Sequence, residues 1–330
     1  MILLIGNRPC PAEPLQKIVL LESMPVPAVL EHSRWFLSEL KALGYEVGTH
    51  LNLVRIQADG SRKKAVRLLK QALSNGRPDL VVTNATLASQ TAASVLKGTG
   101  IPILFLTVSD PVGAGLIEAV GKPTGTAVTG KVYTLPRNTK IDLVMRLARQ
   151  VIPDRTVRFG FIHSSYPSSM GDFKALDEEA RKRGDCRFIP FQVGYRAVPD
   201  GLEAMLDEVR NGIGELEDQV DFWFEPSGPL GELPRFTRVL LKASDHPVIF
   251  GTKLKSVRLG ALMHLTPSME PSGREAAALA VAILNGRPPG EIPPTPPSAF
   301  ELGLNLTTAL KLGIVIPPDI LALAGENIFH

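Results

Sequence analysis

Two α/β units, each an open and doubly wound sheet of mainly parallel strands, are what this sequence encodes. Three observations lead there. Apolar strand-like runs alternate with helical stretches at spacings of about 20 to 30 residues, the rhythm of βαβ crossovers. The runs are apolar without polar alternation, as strands covered on both faces are. The rhythm restarts beyond residue 138, and 330 residues suit two domains at a prior of roughly 150 each.

The first unit opens with IVLL (18–21), broken by Pro25 and Pro27. A helix follows over 29–43, with Leu30, Phe36, Leu37 and Leu40 spaced for one face and Gly44 as its stop. LNLVRI (51–56) reads as the second strand. The basic stretch 61–73 reads as an amphipathic helix with Val66, Leu69 and Leu73 inward and its charges solvated. DLVVT (79–83), a helix over 87–96 and IPILFLT (101–107) complete the unit. The second unit runs helix 139–151, strand 157–163, helix 170–183, strand 186–192, helix 200–210 and strand 220–225. Helix 231–243, strand 246–250, a short helix near 253–258 and strand 260–266 follow. An alanine-rich helix spans 271–284. The segment 286–300 holds six prolines in 15 residues and reads as an extended connector. ELGLNL (301–306) is a last strand, and 317–328 a terminal helix with proline in its first turn. Trp35 and Trp223 fall in apolar patterns and are expected in the core.

Composition excludes several classes. With 44% hydrophobic and 21% charged residues the chain has ample apolar mass for two cores. Thirty-six basic against 33 acidic residues leave no basic footprint for nucleic acid, and 6% aromatics give no base-stacking platform. Two cysteines, Cys10 and Cys186, make no disulfide framework, and six scattered histidines make no zinc spacing. No apolar run approaches the roughly 18 residues of a membrane span. MILLIG followed by NRPCPAEP reads as the remnant of a secretory signal (residues 1–16), with its start upstream and a cleavage step at Ala12/Glu13. The alternative is a frayed cytosolic terminus.

Ligands of open parallel sheets sit beyond the carboxyl ends of the strands. Those ends here are Glu22-Ser23-Met24, Thr83-Asn84-Ala85-Thr86 and Thr107-Val108-Ser109-Asp110-Pro111 in the first unit. In the second they are His163-Ser164-Ser165-Tyr166, Glu225-Pro226-Ser227-Gly228 and Gly251-Thr252-Lys253. Hydroxyls, amides and a few charges suit recognition of a small polar solute. Asn84 or Thr86 can equally cap their own helix, Asp110 its own turn, and Tyr166 can be a loop cover. Enzyme signatures are wanting. There is no GxGxxG after the first strand, no GxSxG and no HExxH. AGLIEAVGKP (114–123) fails as a phosphate loop at Leu116 and Pro123. His163, Ser164 and Asp110 make no credible triad, because neighbours on one loop rarely reach each other correctly.

The runs 78–116, GTAVTGKVY (125–133), FGFIHSSYPSS (159–169), VDFWFEPSG (220–228), GALMHLT (260–266) and the tail 300–321 together resemble a known family. It is that of ABC-transporter substrate-binding proteins of the tryptophan/tyrosine-binding type. The resemblance spans about residues 17–326. It implies the type I periplasmic-binding fold, two Rossmann-like doubly wound lobes joined by a three-crossover hinge. Lobe 1 would be 17–134 plus 267–289, and lobe 2 135–266 plus 290–330, with crossovers near 133–137, 266–269 and 288–292. It further implies no catalysis and no cofactor. The partners implied are a small-molecule solute and the permease and ATPase of a transporter, with no nucleic acid, for a monomer in the periplasm. Ligand positions carried onto this chain are Ser23, Asn84, Thr86, Ser109, Asp110, Tyr166, Glu225, Ser227 and Lys253. Tyr133 and Ser165 are added because they flank the expected cleft. Two departures stand out. Pro226-Ser227-Gly228-Pro229 replaces the family's P-T-D-N loop, and Lys253 stands where an aspartate is common. Fewer carboxylates and one more cation favour an acidic or neutral solute, with Lys253 as the cation for a ligand carboxylate. A ligand-sensing module and a two-lobed enzyme on a small carboxylate are the competing readings.

Overall fold

The computed structural model of the chain describes residues 15–197 and 201–330; the signal expected at the N-terminus lies outside them, apart from its last two residues. Lobe 1 is a five-stranded parallel sheet in the order β2-β1-β3-β4-β5. Its strands are β1 (Gln16–Glu22), β2 (Leu51–Gln57), β3 (Leu80–Asn84), β4 (Ile103–Val108) and β5 (Val128–Val132). The uninterrupted apolar run in β1 has a direct cause. Successive side chains point to opposite faces, and both faces are covered. Ile18 and Leu20 enter one core with Phe36, Leu40 and Ala276, while Val19 and Leu21 enter the other with Leu69, Ala88 and Ala92.

The covering helices are α1 (Pro27–Ala42), α2 (Arg62–Ser74) and α3 (Thr86–Val95). Ser61 caps α2 by accepting from the Lys64 amide. Gly44 terminates α1 in the left-handed conformation, φ +91°. Leu30 departs from expectation: it is solvent-exposed, and Val29 takes the inward position instead. Trp35 is half-buried, with the guanidiniums of Arg34 and Arg274 over its ring, whereas Trp223 is fully buried.

Lobe 2 is a seven-stranded sheet in the order β12-β11-β10-β9-β8-β6-β7. It comprises β6 (Val157–Ser164), β7 (Cys186–Val193), β8 (Phe222–Phe224), β9 (Val248–Gly251), β10 (Met263–Pro267), β11 (Phe300–Asn305) and β12 (Ile328–Phe329). β11 runs antiparallel to β10, and β12 pairs parallel with β11, so these two strands run opposite to the other five. One face is an aromatic core in which Phe224 stacks on Phe250 at 4.3 Å and Phe188 edge-on to Phe224 at 5.2 Å. Helices α4 (Arg137–Ala148), α5 (Pro167–Arg183), α6 (Leu202–Leu216), α7 (Pro234–Ala243) and α8 (Leu254–Leu259) connect these strands. Residue 200, where the sequence places the start of α6, lies outside the described residues.

The chain passes between lobes three times. β5 leads into α4, and β10 leads into α9 (Met269–Leu284), which returns to pack along α1 in lobe 1. The third passage comes later than the sequence suggests. Residues 290–295 still belong to lobe 1, because Thr129 Oγ1 donates to Ile292 O and Lys131 Nζ to Thr295 Oγ1. The chain then re-enters lobe 2 just before β11. The short α10 (Leu306–Lys311) and α11 (Pro318–Ala324) close the fold. Sequence periodicity missed β5, α10 and β12: the last two are too short to show a pattern, and β5 carries Thr129, Gly130 and Lys131 in place of an apolar run.

Candidate functional site

The strand ends of the two lobes face each other across a cavity of about 710 Å³, mouth included. Lobe 1 supplies its floor. Asn84, at the end of β3, is buried and donates to Val29 O and Ser33 Oγ, tying the first turn of α1 to the sheet. Ser23 Oγ accepts from the Ala88 amide at 2.9 Å and so caps α3 from a neighbouring strand. Between them Ala85 is held at φ 75°, ψ 162°, a region nearly exclusive to glycine. Thr107 is a second strained residue, φ 51°, with His32 Nδ1 2.7 Å from its hydroxyl. Burial holds the His32 imidazole at about 4, so it stays neutral. Both strained residues line the cavity. With Met24, Val26, Ala28 and Val29 they make a largely apolar surface.

Lobe 2 supplies the charges. Asp172 on α5 is buried, accepts from the Ser227 amide at 3.0 Å and pairs with Arg137 at 3.2 Å. Burial opposes its ionisation, but Lys140 and Arg137 outweigh that and hold its carboxyl below the ordinary value. Ser169 Oγ donates to Ser227 O. These bonds pin the Ser227-Gly228-Pro229 wall onto α5. Gly228 sits at φ +98°, and a Cβ there would meet the Ser169 hydroxyl, so glycine is required. Further along, Lys253 pairs with Glu232 at 2.7 Å. Burial works against the Lys253 charge, yet the Glu232 carboxylate wins and raises its pKa. Lys140, from the first turn of α4, completes the wall.

Of the sequence-named positions, Ser109, Tyr133, Tyr166, Ser227 and Lys253 line this cavity. Thr86 and Asp110 line a second, more open groove between the lobes, which Ser109 also touches. Asp110 accepts from the Gly113 amide and caps its own turn. Ser23, Asn84, Ser165 and Glu225 do not line the cavity; they brace it. Ser165 Oγ accepts from the Tyr195 amide, and Glu225 Oε2 accepts from the Thr252 amide and the Ser256 hydroxyl. Tyr166 proves to be a buried contact between the lobes. It packs in the lobe 1 core, edge-on to Tyr195, whose hydroxyl donates to Gly60 O at 3.3 Å. The expected free cation, Lys253, is already neutralised by Glu232. Sequence reasoning missed Lys140 and Glu232. Neither sits at a strand end, Lys140 lying in the first turn of α4 and Glu232 in the loop before α7, and a lone charge in such a place carries no distinguishing signal.

Among the described residues no group of three or more His, Cys, Asp or Glu side chains is placed to hold a metal ion. No described helix is long and apolar enough to cross a membrane. The lining combines hydroxyls, two lysines and a carboxylate with apolar side chains, groups that can bind a small molecule by hydrogen bonds and charge.

Comparison with known proteins agrees. A curated relative, the tyrosine-binding protein of Clostridioides difficile (strain R20291), is 25% identical over 306 residues, covering 92% of this chain and 80% of its own. Among solved structures, a conserved domain protein from Vibrio cholerae superposes with a TM-score of 0.76 at 25% identity, over 96% of this chain and 100% of that one. An ABC domain from Streptococcus pneumonia in complex with L-Trp gives 0.78 at 23% identity, with the same coverage. A ligand-free, open substrate binding protein with adhesive properties from Clostridium difficile gives 0.64 at 23% identity, over 96% and 98%. The sequence signature described as ABC transporter substrate binding protein matches residues 17–185 and 238–328. Most of the two-lobed chain falls within that match, the cavity wall from Ser227 to Glu232 lying outside it, and the protein belongs to the ABC transporter substrate-binding family.

Proposed function

We propose that this protein, as a single chain outside the cytoplasm, binds a small carboxylate-bearing solute, polar or aromatic, in the interlobe cavity. Closing on it, the protein presents the closed form to a membrane permease driven by an ATPase. Family membership supports the transport role. The observation that carries the reading is a set of buried polar atoms on lining residues. Ser109 Oγ, Tyr133 OH, Tyr166 OH and Glu232 Oε2 have no hydrogen-bond partner inside the protein. Such groups are costly to bury unless something pairs with them, and a solute supplies that pairing. The lobes meet through the Tyr166–Tyr195 contact and the bond to Gly60, which separate when the cavity opens.

A thermal-shift screen over amino acids, aromatic acids, sugars and nucleosides tests this. A solute at 100 times its Kd stabilises the folded state by about 2.7 kcal/mol and raises Tm by roughly 4 °C. Scattering on the same samples should show compaction. If no compound moves Tm, the reading is wrong.

A further inference from the structure

The wall contributed by lobe 2 does not balance its own charge. Lys253 is matched by Glu232 at 2.7 Å, and Arg137 by Asp172 at 3.2 Å. Asp172 also attracts Lys140, so two cations share one carboxylate and one positive charge is left over, Lys140 being the cation of the two that lines the cavity. Lys140 is buried, and its ammonium stands 5.1 Å from the centre of the Phe250 ring. Among the described residues its ammonium makes no hydrogen bond and meets no carboxylate within ion-pair distance, and only its backbone amide donates, to Pro136 O. The face of an aromatic ring attracts a cation but does not replace a counter-ion. Glu225, the remaining buried carboxyl behind this wall, is occupied by Thr252 and Ser256 and does not line the cavity. Burial raises its pKa toward the neutral form.

Resting on the reading of this cavity as the solute site, we infer that Lys140 is the cation that grips the solute's carboxylate. The cavity therefore selects monoanions without an amino group over zwitterionic amino acids. The inference follows from a charge count. With Lys140 protonated the cavity wall carries one uncompensated positive charge, and a monoanion cancels it. A zwitterion brings no net charge, leaves the excess in place, and adds an ammonium. The wall offers that ammonium only the Glu232 carboxylate, which Lys253 already holds. A neutral amide leaves Lys140 unpaired as well. In a site of low local dielectric such differences weigh heavily. Burial lowers the pKa of Lys140, an effect that Arg137 reinforces and Asp172 opposes. The free protein thus bears a desolvation cost that a bound carboxylate relieves. The remaining lining fits an apolar body: Met24, Val26 and Val29 on one side, Leu135 and Leu265 on the other.

Matched ligands test this by calorimetry at neutral pH. L-Tyrosine is compared with 3-(4-hydroxyphenyl)propanoate and its amide, and L-tryptophan with indole-3-propanoate. At least one acid should bind ten times or more tighter than its parent amino acid and, in the tyrosine series, than the amide. Lys140→Met keeps the stem and removes the charge. It should weaken acid binding about 30-fold and raise the Tm of the ligand-free protein, because an unpaired buried charge is gone. A purely structural lysine would lower Tm instead. An amino acid that outbinds its acid overturns the inference and leaves solute binding standing. So does a Lys140→Met protein that binds the acid like wild type. Silence of all five compounds overturns it too; a sugar or nucleoside that then binds removes the carboxylate from the wider reading and leaves solute binding standing, and silence of those as well removes solute binding.

Discussion

The two walls of the cavity are made from the same kind of element, strand ends leading into helices, and are chemically opposite. The lobe 1 wall is mainly Met24, Val26, Ala28, Val29 and Ala85, with the hydroxyls of Thr107, Ser109 and Tyr133 beside them and without a charge. The lobe 2 wall carries Lys140, Glu232 and Lys253. Both lobes have polar strand ends, so position alone does not explain the contrast. Lobe 1 turns its polar groups inward as braces, with Ser23 capping α3 and Asn84 holding α1. That leaves apolar helix-entry residues facing the ligand. Lobe 2 turns Glu225 and Asp172 inward in the same way, but the loops and helix starts beyond them present charge. One wall is shaped for a ligand's body and the other for its ionic group.

The contrast can be broken most severely in lobe 2. Lys253→Met leaves the half-buried Glu232 without its partner, which should destabilise the protein by up to about 3 kcal/mol. Replacing both by apolar residues of similar size should restore most of that loss. Urea denaturation of the single and double variants checks it, and a single variant as stable as wild type would show the pair to be solvated. A test in lobe 1 concerns the buried neutral His32. Its pKa falls from 6.5 to about 4 on folding. Between those values the unfolded chain binds the proton and the folded one does not, so stability falls as pH drops from 6.5 and levels off below about 4. The full effect is roughly 3 kcal/mol at 1.4 kcal/mol per pH unit. His163 and His264 are also depressed by burial, so the measurement is the difference between wild type and His32→Gln, whose stability-pH curve should be flatter by that amount. The smallest expected effect sharpens the division of roles. Val29→Ala removes buried floor and should cost about 1 to 2 kcal/mol of stability. It should weaken acids and their amides by the same factor, whereas a change at Lys140 should discriminate between them.

Much of the architecture was legible because its cause is local. The apolar runs at 18–21, 79–83 and 101–107 could only be strands covered on both faces, and helices between them followed from periodicity. The site was legible in part. Strand ends pointed to Ser109, Tyr133, Tyr166, Ser227 and Lys253, which do line the cavity. The same rule named Ser23, Asn84 and Glu225, which lie at the expected level but point away from it as braces. A residue's place along a strand says which end of the sheet it occupies. It does not say which way its side chain turns once neighbouring helices compete for its hydrogen bonds.

What the sequence determined by itself was the alternation of elements, the two doubly wound sheets and the level at which a ligand sits, because each follows from hydrophobic periodicity over neighbouring residues. Only tertiary structure decided the charge of the cavity. That charge depends on which ions find partners, and the pairs Lys253–Glu232 and Arg137–Asp172 join residues 21 and 35 positions apart. Lys140 is left unmatched only once those pairings are made, a property of distances in space that no local pattern encodes.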